Sequence, residues 1–547
     1  MSGVDFVNSS IGKGSLENIS HLNLIADVLV IGGGPSGTWA AWSAASSGAS
    51  VILADKGYCG TSGAAAASGN GVWYVPPDAE QREAAMASRE AMGGFLCDRN
   101  WMTRVLDRTY DNINSLADWG YPFRVDADGT VIRRSLQGPD YMRFMRKKIK
   151  QAGVKILDHS PALELLLDAE GAVAGARGIN RQSGERWTVK AGAVVIATGG
   201  CAFLSKALGC NVLTGDGLLM AAEAGADFSG MEFSNAYAIS PAFSSVTKTR
   251  YYDWASFTYE DGTVIEGAGS KRGRSVIAKT LLTQPVYARL DQNMDEETKA
   301  WMRSSQANFF VVFDRAGIDP FTQRFPITLR LEGTVRGTGG IRIADYTCAT
   351  SVSGLYAAGD AATRELICGG FTGGGSHNAA WAMSSGYWSG QSAATYALSL
   401  GEKASLRSVR SVGEAGLQGA GNHHVSPEDA IAATQAEVFP YDRNLFRSAT
   451  GLSESLDRLN HLWKEIRNSQ TPDDSQIVRS REAAAMVATA RWMYNSGLQR
   501  QETRGMHKRE DYPQQDPNQQ YRILSGGLDN IWVKPESAVV RRELVTV

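Results

Sequence analysis

At 547 residues the chain exceeds what one hydrophobic core normally supports, so two or three structural units are expected, one interrupted by an insertion. Its 55 basic and 57 acidic side chains leave a formal charge of −2, which excludes the electrostatic footprint of a nucleic-acid or anionic-membrane binder. The 59 glycines gather in short groups instead of a repeat, and the six cysteines include no C-x-x-C pair, which argues against a zinc or iron–sulfur site within the chain and against a secreted disulfide scaffold.

Residues 1–24 show no basic region followed by an apolar core, and no later run reaches about 18 apolar residues, so neither a secretion signal nor a membrane span is expected; a reducing, cytoplasmic setting fits. The first predicted element is "DVLVIG" (27–32), a Val/Ile-rich run suited to a buried parallel strand. Gly32, Gly34 and Gly37 follow in G-x-G-x-x-G spacing, with Pro35 and Ser36 between them, and then a small-residue stretch compatible with helix. "SVILAD" is a second strand that ends in Asp55, 21 residues after Gly34. In this pattern the first glycine permits a tight turn, the second lets a pyrophosphate approach the backbone, and the third lets helix and strand pack closely. The helix N-terminus offers unpaired N–H groups to the diphosphate, and Asp55 can accept from an adenosine ribose. The ligand is a dinucleotide.

Further along, "AGAVVIATGG" (191–200) reads as a strand that ends in Thr198, Gly199 and Gly200, with Ala197 before them as a further cofactor contact, and "VSGLYAAGDAA" (352–362) as a late strand that ends in Gly359 and Asp360. Returning strands with glycine-rich ends suggest one sheet built from discontinuous pieces, its loops meeting over one ligand. Beyond residue 400 a Gly/Ser-rich connector precedes two segments, 433–468 and 475–500, with apolar residues at helical spacing.

Together with "GYCGTSGAAAASGN" (57–70), "LTGDGLLMAAEAGADFSGMEF" (213–233), "GLYAAGD" and "RQETRGMHKREDYPQQD" (500–516), these motifs resemble the flavoprotein family of succinate dehydrogenase, fumarate reductase, L-aspartate oxidase and the adenylylsulfate reductase alpha subunit. The resemblance implies an α/β fold: a Rossmann-like FAD-binding domain over 1–235 and 335–400, an inserted α+β capping domain over 236–334, and a C-terminal helical domain over 401–547. It implies FAD, not NAD, as the cofactor, with contacts from Lys56, Thr61, Ser62, Ala67, Gly69, Asp216, Gly375, Ser376 and Asn378 besides the residues above. It also implies that Arg504, His507, Arg509 and Asp511 form a buried network docking the helical domain.

Departures from the family pattern bear on the substrate. Tyr237 and Val335 stand where the family carries its two substrate histidines, Thr372 falls near its substrate arginine, and Arg250 lies one residue out of register with its capping-domain arginine. A clamp for two carboxylates is dismantled, since each lost charge-assisted hydrogen bond is worth about 1.5–3 kcal/mol. Residues 60–69 contain no histidine for covalent flavin attachment, so FAD is expected to be non-covalent.

Trp73, Tyr74, Tyr237, Tyr251, Tyr252 and Trp254 are candidates for an aromatic chamber over the flavin, against the plainer reading of domain packing. A helix expected from about Ser376 would aim its N-terminus at the flavin, with His377 in its first turn as a proton-transfer candidate. Arg250 and Tyr237 are further catalytic candidates, and Arg336 is a candidate anchor for an anionic group. Cys59 lacks a nearby partner, Cys97 being the next cysteine, so a redox disulfide is not expected. Two readings stand: an oxidoreductase that moves a hydride between flavin N5 and a small molecule more apolar than succinate, and the catalytic subunit of a complex whose separate iron–sulfur or ferredoxin-like protein exchanges electrons with FAD. The oligomeric state is left open.

Overall fold

The computed structural model describes residues 21–126, 128–247, 249–271, 273–372, 374, 376–419 and 421–536. Gly375, expected near the flavin, lies outside them.

The first strand runs His21–Ile31, longer than the apolar run alone suggests, because its amino-terminal half pairs in parallel with Arg186–Ile196 from His21↔Arg186 to Ile31↔Ile196. Val51–Ala54 pairs on its other side, and Lys155–Leu157 beyond that, also in parallel. Leu355–Ala357 pairs with Val194–Ile196, and the chain then turns at once into a short 3-10 segment, Gly359–Ala361. The long helices Pro35–Ser46 and Ser376–Ser399 pack on each other beside this sheet. Their contact requires small residues: a Cβ on Gly386 or Gly390 would lie 2.3 Å from Ser36 O or 2.1 Å from Ala40 O.

A second, antiparallel sheet joins Ala236–Pro241, Phe325–Glu332, Val286–Leu290 and Ala255–Thr258, in that order. Alternate residues of Phe325–Glu332 point inward to a cluster that includes Phe309, Phe310 and Phe313 from the helix Ala307–Ala316. Tyr251, Tyr252 and Phe257 belong to the same cluster.

The C-terminal part contains the helices Pro427–Val438, Ala449–Arg467 and Ile477–Gln499. It is not all helix. Arg410–Ser411 extends the first sheet, and Ile523–Gly526 and Trp532–Pro535 form a hairpin paired with Phe228–Ser229. Behind that hairpin lies an ion-pair chain with no solvent exposure: Arg500 bonds Glu232 at 2.8 Å and Glu502 at 2.9 Å, and Arg504 bonds Glu502 at 2.6 Å. His507 Nδ1 lies 2.8 Å from Arg447 Nη1; burial and that guanidinium push its pKa well below the ordinary value, so the ring is neutral.

Candidate functional site

The carboxyl ends of the parallel strands and the N-terminus of the Pro35–Ser46 helix border a cleft with about 1250 Å³ of empty space, counted to its open mouth. The chain can make this edge because its residues are small. Gly32 has φ +108°, and a Cβ there would lie 2.3 Å from Ala197 O; a Cβ on Gly37 would lie 1.8 Å from Gly32 O. At Gly34 the reverse holds: nothing lies within 4 Å of a Cβ, because that direction opens toward the cleft. No side chain caps the helix and its first turn holds no acid, so its N–H groups and partial positive charge are left for an anionic ligand.

Asp55 is fixed by three donors: Gly33 N at 2.6 Å, Gly57 N at 2.8 Å and Ser62 Oγ at 2.7 Å. Lys56 turns away to Asp216 and Glu482, each at 2.6 Å, and to Thr214 Oγ1 at 2.8 Å. Burial alone would lower the Lys56 pKa; the two carboxylates outweigh it and hold the value above normal. At the far wall, burial pushes the Asp360 carboxyl up, opposed by its ion pair with Arg364 and by Arg336. Asn378 donates through Nδ2 to Val335 O at 3.1 Å, while its buried Oδ1 has no partner. An orphaned acceptor on the cleft wall, an uncapped helix and an open Gly34 together suit a polar dinucleotide such as FAD.

Of the sequence candidates, Gly32, Gly34, Pro35, Ser36, Asp55, Lys56, Ser62, Gly69, Ala197, Thr198, Gly199, Asp216, Asp360, Asn378 and Arg336 line this one cleft. Others stand behind it. Gly37 serves packing, and Gly359, at φ +64°, accepts from Trp381 Nε1 and presses against Ser36. Ala67 O accepts from Asn308 Nδ2 of the second-sheet domain at 2.7 Å, so that domain rests on the 57–70 loop. Thr61 is exposed. Ser376 O accepts from Trp73 N at 3.0 Å, Ser376 Oγ lies 3.2 Å from His377 Nδ1, and the rings of Trp73 and His377 are 4.5 Å apart.

The aromatic candidates do not converge. Tyr237 is buried and donates to Val438 O at 2.8 Å, with Phe439 O at 3.2 Å, because its strand lies against the helical domain. Tyr252 sits in the apolar cluster of the second-sheet domain, Tyr251 donates to Met302 O, and Tyr74 stacks on Tyr110 at 5.3 Å. Arg250 is exposed, and Thr372 O instead receives Arg89. Arg274 of this domain turns inward instead, donating to Tyr237 O at 3.1 Å and Ser270 O at 3.0 Å and keeping a buried, unpartnered Nε. Burial lowers its pKa, against the pull of Glu332. A lone arginine after a glycine carries no spacing signal, so sequence alone did not single it out. Nor did it single out Asn70, Tyr141, Val212, Leu213 or Met220, which also line the cleft.

The sequence matches the FAD binding domain family over residues 27–237 and the fumarate reductase flavoprotein C-terminal family over 437–534. The chain thus carries an FAD binding domain and a fumarate reductase flavoprotein C-terminal domain. This flavoprotein is 24% identical to the fumarate reductase flavoprotein subunit of Mycobacterium tuberculosis, over 90% of this chain and 92% of that one. It is 25% identical to L-aspartate oxidase of Streptomyces coelicolor, over 90% of each. Its fold superposes on FrdA of Escherichia coli quinol fumarate reductase with a TM-score of 0.79 at 19% identity, covering 94% of this chain and 97% of that one. For adenylylsulfate reductase of Archaeoglobus fulgidus the TM-score is 0.76 at 18% identity, covering 95% and 96%. The flavoprotein binds FAD and is an FAD-dependent oxidoreductase. Among the described residues no helix is long and apolar enough to cross a membrane.

Proposed function

We propose that this flavoprotein oxidises or reduces a small molecule that is not a dicarboxylate, with one anionic group held by Arg336, an otherwise apolar body, and FAD bound non-covalently. The observation that carries the reading is Arg336. Its guanidinium lines the cleft and, among the described residues, makes no hydrogen bond or ion pair, while Glu332, the strongest influence on it, holds its pKa above normal. Among the described residues the only other cation on that wall, Lys56, is bound to two carboxylates. The same cleft presents apolar Val212, Leu213, Val335 and Ala379, with the Asp360 carboxyl close enough to act on Arg336, which suits a body with few polar groups and one anionic end. Neither position of the family's histidine pair offers a second clamp: Val335 carries no polar side chain, and Tyr237 has its hydroxyl committed to backbone carbonyls.

The isoalloxazine supplies hydride exchange at N5 when bound. The protein's own part is to place and hold. The Ser376–Ser399 helix directs its N-terminus to the site, and Asn378 Oδ1 accepts a polar N–H there. Ser376 and His377, in contact on the first turn, stand just behind Asn378 and Ala379 of the cleft wall, and imidazole there is the nearest candidate for relaying a proton to it. Arg250 and Tyr237 are set aside from this role by their placement.

The test is anaerobic flavin bleaching over a metabolite panel that contrasts monoanions, neutral analogues and dicarboxylates. Monoanions with apolar bodies are expected to bleach the flavin fastest. Brisk turnover of succinate or fumarate overturns the substrate reading, and a colourless protein that refuses FAD overturns the whole. A second reading, the catalytic subunit of an electron-transfer complex, is supported by the likeness to flavoprotein subunits of fumarate reductases.

A further inference from the structure

Among the described residues Arg336 makes no hydrogen bond or ion pair, although two acids act on it, Glu332 and Asp360. Each acid is engaged elsewhere. Glu332 Oε1 accepts from Thr247 Oγ1 at 2.8 Å. Asp360 Oδ1 is paired with Nη1 of Arg364, a residue with no solvent exposure. The same guanidinium directs Nη2 to the turn that carries Arg336, donating to Thr334 O at 2.9 Å, Val335 O at 3.1 Å and Gly337 O.

The local backbone explains why a cation is needed there. The helix Gly333–Arg336 is a single turn, so its last carbonyls meet no amide of their own, and Gly333, Thr334 and Val335 are buried. A cation at that end satisfies them and is favoured by the partial negative charge of the helix C-terminus. Arginine suits the place because its planar fork reaches a carboxylate through one nitrogen and carbonyls through another. Val335 O also receives Asn378 Nδ2 at 3.1 Å, which ties the turn to the Ser376–Ser399 helix. Arg364 itself stands behind the cleft wall, so it acts on the cleft through Asp360 and Arg336, which line it.

We propose that Arg364 is the positioning residue of this wall: it takes Asp360 away from Arg336, fixes the turn that presents Arg336, and so keeps one guanidinium open to an anionic ligand in the cleft. The inference rests on the substrate reading above and adds the origin of its specificity. One carboxylate of a ligand meets Arg336. A second would meet Glu332 and Asp360, whose like charge turns dicarboxylates away. Without Arg364, Arg336 is the remaining cation that acts on Asp360. The two would close on each other and cover the anchor.

The test uses the full-length wild type with R364M, R364K, D360N and R364M/D360N. On FAD-free protein, phenylglyoxal labelling of Arg336 is followed by peptide mass mapping. Arg336 should react at least about fivefold more slowly in R364M, where Asp360 covers it, and at the wild-type rate in R364M/D360N and in R364K. D360N alone should leave the rate unchanged, because Asp360 is already engaged. Equal rates in wild type and R364M overturn the proposal, and so does a faster Arg336 in D360N, which decides the matter should R364M fail to fold. With FAD loaded, benzoate and its neutral analogue benzamide are titrated against the flavin absorption band. Benzoate binding should weaken by about tenfold or more in R364M and recover in R364M/D360N, while benzamide changes little. An equal loss for both ligands shows a merely structural role and overturns the proposal. If benzoate and benzamide bind the wild type alike, the substrate reading is at fault, and the labelling rates still decide the role of Arg364.

Discussion

Lys56 Nζ lies 2.6 Å from Glu482 Oε1, so a residue at the tip of the second strand of the FAD domain is bound to a helix that begins 421 residues later. Asp216 completes the contact at 2.6 Å, and all three side chains are largely buried. Cleft and helical domain are thereby tied together. Lys56→Met leaves Asp216 without its cation and Glu482 with Arg479 alone, a loss of about 3 kcal/mol. Thermal unfolding should show a lower Tm, and FAD titration a weaker affinity. Glu482→Gln, which keeps Asp216 on the lysine, should do clearly less.

Two glycines of the first turn should behave oppositely. Gly37→Ala puts a Cβ 1.8 Å from Gly32 O and should destabilise the protein with or without FAD. Gly34→Ala meets nothing in the protein, at a φ of −74° that alanine accepts. Its methyl should leave the FAD-free stability within about 0.5 kcal/mol of wild type yet reduce FAD affinity severalfold. Equal FAD affinity in Gly34→Ala and wild type would contradict the placement of the ligand.

Tyr237→Phe separates packing from chemistry. The phenol bonds backbone carbonyls of the helical domain, so its removal should cost about 1 kcal/mol of stability. The rate of flavin bleaching by a substrate should be unchanged.

Arg336→Met should leave FAD content intact and weaken an anionic substrate by about 1.5–3 kcal/mol, roughly ten- to a hundredfold in Kd. A neutral analogue should lose little. Comparable losses for both would show that Arg336 positions the cofactor and not the substrate.

Burial, with Glu232 close by, pushes the Glu365 carboxyl up to about 8. A carboxyl whose folded pKa exceeds its unfolded value of roughly 4.3 binds more protons folded than unfolded between the two. The stability it contributes is complete below that value and is lost as the pH rises toward the folded pKa. Tm should therefore fall from about pH 5 to about pH 8, and Glu365→Gln, neutral throughout, should flatten that fall.

Local chemistry was readable in the sequence where it is short-range. Gly32, Gly34, Asp55 and the strand Val51–Ala54 lie within 30 residues of one another, and their spacing alone places them. Long-range choices were not readable in that way. Tyr237 looks the same in sequence whether its hydroxyl faces a ligand or Val438 O, 201 residues away. Arg250 and Arg274 differ only in which one the fold turns inward. The pairing of Phe228–Ser229 with Ile523–Gly526 had no signal either, since two-residue strands carry no periodicity.

That last pairing reaches back to synthesis. The segment Phe228–Ser229 emerges from the ribosome almost 300 residues before Ile523–Gly526, which covers its edge, and before Arg500, which neutralises buried Glu232. During translation the nascent FAD domain must carry an open strand edge and an unpaired acid until residues 500–526 have been made. Chaperone demand in the cell should accordingly be set by the arrival of that segment, and chains truncated before residue 500 should aggregate as they are made.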